Sequence, residues 1–171
     1  MTALSELELT AHHEAGHAVA TVLRRGKITS ININLDRTRG EHGETWTSAM
    51  QHDQSFITYA GPWAEARSQW TGANLDDVDD GGCTFSDRLA TCFELNQYDL
   101  ALYNLCVEKY DRGWNPLLSQ HDLAERAADW SRQFETLWPI MCQVAQLLLA
   151  EESVTTDIIA ALIGDTDQYL F

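Results

Sequence analysis

The chain has 171 residues, 44% of them hydrophobic, and a formal net charge of −15 at pH 7. This length and composition are enough for one domain with a sizeable core, so we expect residues 1–171 to form a single domain. The acidic balance argues against nucleic acid and anionic membranes as partners.

Targeting and redox features indicate a cytoplasmic protein. No apolar run approaches the roughly 20 residues that cross a bilayer, and the N-terminal residues lack the basic and apolar segments of a secretory signal. The four cysteines are dispersed and include no CxxC pair, which is typical of reduced thiols. We therefore expect a cytoplasmic location and no membrane-spanning segment.

The first predicted helix carries the motif His13-Glu14-Ala15-Gly16-His17. On a helix the two histidines lie one turn apart on the same face, so both imidazoles can bind one metal ion. Glu14 lies about 100° around the helix and can hold a reacting water without binding the metal itself. Two neutral imidazoles, a general base and open coordination positions are the arrangement of a zinc metallopeptidase. His13 and His17 are therefore predicted zinc ligands, and Glu14 is the predicted catalytic base.

Residues around the motif favour a helix with defined ends. Ser5 and Glu8 have the spacing of a capping box at its N-terminus, and Gly26 is predicted to cap its C-terminus. Gly16 weakens the helix interior, so we expect it to allow another backbone to approach closely. His12 lies about 100° off the ligand face and is expected to lie outside the metal's direct ligands or in solvent.

The sequence as a whole predicts a mainly α (α+β) fold: a zincin-like helical domain with a small β-hairpin near the active-site helix. Alternation of apolar and polar residues predicts strands over residues 28–35 and 45–50, joined by a polar turn. Such a hairpin either presents an edge strand that binds an extended peptide or only packs on the helices. Helical periodicity predicts four helices: 54–70, 86–109, one from 119 that is kinked or broken at Pro139, and 155–163.

A zinc site of this kind needs a third protein ligand. Leu23 occupies the position of the third histidine in the longer HExxHxxGxxH pattern, so the ligand must come from farther along the chain. Asp87 is the preferred candidate, because it begins a long predicted helix that can aim its carboxylate rigidly. The aspartates of residues 76–80 lie in a glycine-flanked loop, where we expect most carboxylates to face water. If no aspartate binds zinc, the candidates are Cys83, His42 and His52.

Three segments resemble the zinc peptidase domain of the FtsH type, a family normally fused to AAA ATPases. Residues 11–20, which contain the HEAGH core, are similar to the family's zinc motif, and residues 58–65 are similar to its glycine-then-Ala-Glu helix. Residues 81–90 resemble the loop that leads into an aspartate at a helix start. That aspartate is the family's third zinc ligand. The resemblance places it at Asp87, with Asp76 as a rival in a similar segment.

The resemblance implies a zinc metalloendopeptidase with one zinc ion per chain, in which Glu14 acts as general base on a zinc-bound water. Glu65 either orients a ligand histidine or forms an ion pair on its helix. Because the sequence contains no P-loop and no AAA module, we expect a free-standing domain. Its expected substrates are flexible peptides or unfolded polypeptides, and a separate ATPase or a homo-oligomer is a conceivable partner.

Two other functions stay open at the level of sequence. One is a regulatory metalloprotease that cleaves a repressor-type partner. The other is a non-catalytic interaction module in which zinc only stabilises the fold. Glu14 argues against the second, because a structural zinc site does not need a base.

Overall fold

Among the described residues, helices make up most of the protein and two strands form a small antiparallel sheet, as the sequence predicts. The structure is a computed structural model that describes residues 4–33 and 43–164. In chain order the elements are α1 (Glu6–Leu23), β1 (Lys27–Ile33), β2 (Gly43–Ser48), α2 (Gln54–Ser68), α3 (Phe85–Leu95), α4 (Gln97–Cys106), α5 (Arg112–Trp114), α6 (Gln120–Leu149) and α7 (Thr156–Gly164). A 3-10 turn (Gln51–Asp53) precedes α2, and a π-helical turn (Val107–Asp111) joins α4 to α5.

Helix α1 begins with the predicted capping box. The Ser5 side chain accepts a hydrogen bond from the Glu8 amide, and the Glu8 carboxylate accepts one from the Ser5 amide. The helix ends differently from the prediction, because the left-handed residue is Arg25, with φ of 59°, and not Gly26. Gly26 instead donates its amide to the Thr21 carbonyl, which closes a Schellman motif. A side chain at Gly26 would collide with Thr21, so glycine is required there for space.

Helices α1 and α2 pack at very close range, which confirms the expectation for Gly16. A Cβ added at Gly16 would lie 2.3 Å from the Ala60 carbonyl oxygen and 2.8 Å from Ala64 Cβ. Helix α6 completes the core with buried aromatic and aliphatic side chains. The Phe134 ring, for example, lies 4.7 Å from the Phe56 ring of α2, centroid to centroid. The motif helix is thus held rigidly between α2 and α6.

The hairpin lies against the motif face of α1. Ile31 pairs with Thr45 and Ile33 with Gly43. A Cβ added at Gly43 would lie 2.6 Å from Glu14 Oε1, so the start of β2 touches the predicted base. The predicted strand residues 34–35 and the polar turn lie outside the described residues.

The predicted helix 86–109 is in fact two helices. Asn96, with φ of −101° and ψ of 71°, leaves the helical conformation and separates α3 from α4. The break changes the direction of the chain just before Asp99, which falls in the first turn of α4. This difference decides which aspartate reaches the motif helix.

Helix α6 is one continuous helix through Pro139, so it is not broken there. Proline removes one backbone hydrogen bond, but the residues around it bury a continuous apolar face, including Leu137, Ile140 and Met141. In the described ranges 4–33 and 43–164, none of the helices combines the length and the apolar character that crossing a bilayer requires.

Candidate metal centre

Three side chains from two helices converge on one point beside α1. His13 and His17 lie one turn apart, as predicted, and their Nε2 atoms are 3.1 Å apart. Asp99 comes from α4, with its Oδ2 2.9 Å from His13 Nε2 and its Oδ1 3.5 Å from His17 Nε2. Among the described residues, these three form the one group of potential metal ligands whose donor atoms all lie within 4.8 Å of one another.

The spacing of the donor atoms fits a zinc ion. Zinc bonds to imidazole nitrogen and carboxylate oxygen are about 2.0–2.1 Å long, and a tetrahedral angle then separates neighbouring donor atoms by about 3.3 Å. The three separations of 2.9, 3.1 and 3.5 Å surround this value. Two imidazoles and one carboxylate are also a donor set of catalytic zinc sites, which keep a fourth position open.

Hydrogen bonds on the outer side of each imidazole fix its orientation. His17 Nδ1 donates to the Ile57 carbonyl oxygen at 2.9 Å, and His13 Nδ1 donates to Glu65 Oε2 at 2.9 Å. Because both acceptors can only accept, the Nδ1 atoms carry the protons and both Nε2 atoms face the cluster. Glu65 therefore orients the His13 ring, which agrees with the first of the two roles considered for it.

The cluster is electrostatically coupled. Burial lowers the pKa of His13, but its hydrogen bonds to Asp99 and Glu65 outweigh burial and raise the pKa above its ordinary value. Burial also raises the pKa of Asp99, and here the hydrogen bonds to His13 and His17 prevail and lower it. Without metal, these directions favour a protonated His13 between the Asp99 and Glu65 carboxylates, where its positive charge takes the place of a bound cation.

Glu14 is buried beside the cluster, with 5% of its surface exposed. The Thr45 hydroxyl of β2 donates to Glu14 Oε2 at 2.5 Å, and the close approach of Gly43 covers Oε1. The negative charge of Glu14 also contributes to the raised pKa of His13. The hairpin thus holds the predicted base in a fixed position next to the His13 and His17 cluster.

Gly61 of α2 makes room for the histidine rings. A Cβ at this position would lie 2.3 Å from His17 Nε2 and 2.9 Å from His13 Nε2. Any side chain here would occupy the space where the donor atoms meet. The glycine that precedes Ala64 and Glu65 in the sequence therefore has a direct steric role in the site.

The structure does not bring Asp87 to the histidines, and Asp99 occupies the place predicted for it. Asp87 is the third residue of α3, where its exposed carboxylate accepts hydrogen bonds from the Thr84 hydroxyl and amide. These bonds lower the pKa of Asp87. Asp87 was the preferred candidate because it lies at a helix start. It lies there because it is part of a capping box with Thr84.

The other candidate ligands also lie away from the cluster. Asp76, Cys83 and His52 are exposed. Asp79 is buried, but its carboxylate accepts hydrogen bonds from the Arg88 guanidinium and from the amides of the loop. His42 lies outside the described residues.

His12 lies off the ligand face as predicted, with its Nδ1 donating to the Glu8 carbonyl and its ring stacked on Trp138.

The sequence contains a signal for Asp99, but this signal lies within residues 86–109, which were predicted to form one long helix. Asn96 is a preferred residue type for a helix N-cap, and Asp99 stands three positions later, where a helix start favours an acidic residue. This pattern predicts a helix start at 97 rather than an uninterrupted helix over 86–109. An aspartate in that first turn is rigidly placed, which is the property first attributed to Asp87.

Comparison with known proteins agrees with this chemistry. Residues 3–70 match the family model of Peptidase M50B-like proteins. The matched part is less than half of the chain; it contains His13, Glu14, His17, Gly61 and Glu65 and ends before Asp99. No curated protein and no solved structure matches the chain. The family match supports a metallopeptidase.

Proposed function

We propose that the protein is a zinc-dependent metalloendopeptidase of the HExxH type. The observation that carries the proposal is the convergence of His13, His17 and Asp99 at separations suited to zinc, with Glu14 buried next to them. The match of residues 3–70 to peptidases supports the same class of enzyme.

The residues of the chain divide the chemistry among them. His13, His17 and Asp99 would hold one zinc ion, and the ion supplies a Lewis acid that activates water and polarises the scissile carbonyl group. Glu14 removes the proton from the attacking water and delivers it to the departing amine nitrogen. Thr45 keeps the Glu14 carboxylate in place for both transfers.

Extended polypeptides are the substrates that suit this arrangement. We propose flexible peptides or unfolded chains as substrates. A separate ATPase or self-association would widen the range of substrates, and a cytoplasmic location is part of the same proposal. Strand β2 lies directly against Glu14 and is the element of the site closest in form to a peptide-binding edge.

Peptide hydrolysis by the wild-type protein and by Glu14→Gln tests the proposal. Both proteins are loaded with one equivalent of zinc and incubated with a library of unstructured peptides, and the products are identified by mass spectrometry. General-base catalysis contributes roughly 10²–10⁴-fold, so Glu14→Gln should bind zinc normally and cleave at least about 100-fold more slowly.

The same experiment distinguishes the alternatives. Equal cleavage by both proteins would exclude Glu14 as the base. Zinc binding without cleavage of any peptide would favour the non-catalytic zinc module. A regulatory protease would cleave very few sequences, and these would share a recognisable pattern.

A further inference from the structure

We infer that Asn96 is a positioning residue of the metal centre. Its side chain links the helix break that presents Asp99 to the carboxylate that orients His13. The inference rests on the zinc site of the proposed function and adds a residue that touches neither zinc nor substrate.

The contacts of Asn96 join both sides of His13. Asn96 Nδ2 donates to Glu65 Oε2 at 2.8 Å, and the same oxygen accepts the hydrogen bond from His13 Nδ1 at 2.9 Å. Three residues after Asn96, Asp99 contacts the other nitrogen of the same ring at 2.9 Å. The His13 imidazole thus lies between the carboxylates of Glu65 and Asp99. Asn96 is hydrogen-bonded to Glu65 and lies three residues before Asp99 in the chain.

The backbone of Asn96 forms the turn between α3 and α4. Its amide donates to the Cys92 carbonyl, and its own carbonyl accepts from the Leu100 amide, each at 3.0 Å. Asn96 therefore closes the last turn of one helix and the first turn of the next. A shift of this residue would move Asp99 relative to α1.

The side chain of Asn96 does not cap helix α4, although Asn96 occupies the N-cap position of that helix. An asparagine at a helix N-cap usually accepts a hydrogen bond from an amide of the first turn. Within the described part of the chain, α4 makes no such bond to Asn96. Nδ2 is instead engaged with Glu65 and with the Cys92 carbonyl at 2.8 Å. The Asn96 side chain therefore contacts Glu65 of the candidate metal centre and does not stabilise the start of α4.

Two substitutions separate this role from helix capping. Asn96→Ala removes the side-chain amide that donates to Glu65 and to the Cys92 carbonyl. Asn96→Asp keeps a residue type that caps helices equally well, but it replaces the amide donor by a second carboxylate facing Glu65. If Asn96 positions the site, Asn96→Asp should lower zinc affinity at least as much as Asn96→Ala, whereas a role confined to helix capping predicts wild-type zinc affinity for Asn96→Asp.

Zinc affinity is the measurement, with Asn104→Ala as a matched control on the exposed surface of the same helix. The metal-free proteins are titrated with zinc against a chromophoric chelator, and cobalt(II)-loaded samples give absorption spectra that report ligand geometry. Loss of an outer contact to a metal ligand typically costs 10- to 100-fold in metal affinity. We expect at least about a 10-fold loss and an altered cobalt spectrum for both Asn96 variants and no change for Asn104→Ala.

The outcomes separate this inference from the proposed function. Wild-type zinc affinity in both Asn96 variants, even with a lowered melting temperature, would overturn the inference and leave the peptidase proposal standing. Recovery of affinity in Asn96→Asp alone would also overturn it. If the variants lose zinc but the wild type cleaves no peptide, the positioning role stands and the peptidase proposal fails. A wild-type chain that binds no zinc overturns both.

Discussion

Asp99 Oδ2 lies 2.9 Å from His13 Nε2, although 86 positions separate the two residues in the chain. The contact exists because the chain leaves the helical conformation at Asn96 and begins α4 just before Asp99. Helix α2 holds the opposite nitrogen of the same ring through Glu65. Three helices therefore build the candidate metal centre, and we expect changes on any of them to alter metal affinity.

Thr45→Val should slow hydrolysis while leaving zinc bound. The substitution removes the hydroxyl that donates to Glu14 Oε2 and keeps the shape of the side chain. A hydrogen bond to a charged group contributes about 1.5–3 kcal/mol, so we expect kcat to fall roughly 10-fold with an unchanged zinc stoichiometry. Steady-state kinetics measure the effect, with Thr47→Val, two residues along β2, as the control. An unchanged or higher kcat would show that Thr45 does not position the base.

Two glycine-to-alanine substitutions should have different effects, one on zinc affinity and the other on the stability of the fold. Gly61→Ala directs a methyl group at the two Nε2 atoms, so it should lower zinc affinity at least about 100-fold. Gly16→Ala directs a methyl group at the backbone of Ala60, so it should destabilise the metal-free fold by roughly 1–3 kcal/mol. Zinc titration and denaturant unfolding of each variant measure these effects. If Gly61→Ala bound zinc like the wild type, the metal would have to lie elsewhere.

Zinc affinity should keep rising with pH above neutrality. In the metal-free protein the hydrogen bonds to Asp99 and Glu65 keep the pKa of His13 above its ordinary value of about 6.5, and zinc must displace that proton. Apparent affinity should then increase about tenfold per pH unit until the raised pKa is passed. Titrations between pH 6 and 9 measure the slope. A plateau beginning near pH 7 would mean that His13 titrates as an ordinary histidine.

The same shifts affect the stability of the metal-free protein. The pKa of His13 is raised on folding, so its contribution is full below about pH 6.5 and is lost as the pH rises through the raised value. The pKa of Asp99 is lowered, so its contribution is present above about pH 4 and is lost as the pH falls through the lowered value. Thermal unfolding of the metal-free protein should therefore show its highest melting temperature between these limits. An Asp99→Asn variant should lose most of this dependence.

Local features were predictable because they depend on neighbouring residues. The capping box of Ser5 and Glu8, the shared face of His13 and His17 and the close packing at Gly16 all follow from helical spacing. The hairpin followed from alternation in the same way. Each of these predictions needed only residue types and the period of one element.

The third candidate ligand, Asp99, could not be predicted in this way, because its position depends on where a helix ends. Asp87 and Asp99 both stand in the first turn of a helix, and only the break at Asn96 reveals the second of these starts. Propensity alone favoured one long helix over residues 86–109. The hydrogen bond from Asn96 to Glu65 joins residues 31 positions apart, so the local sequence pattern could not reveal it.

Zinc titration of Asp99→Ala and Asp87→Ala tests the metal centre most directly. Asp99→Ala removes a proposed ligand and should reduce zinc affinity at least about 100-fold, more than the loss of an outer contact typically does. Asp87→Ala removes a capping carboxylate and should cost about 1 kcal/mol of stability while zinc affinity stays within about threefold of the wild type. The opposite ranking, or equal affinity in both variants, would contradict a site built from His13, His17 and Asp99.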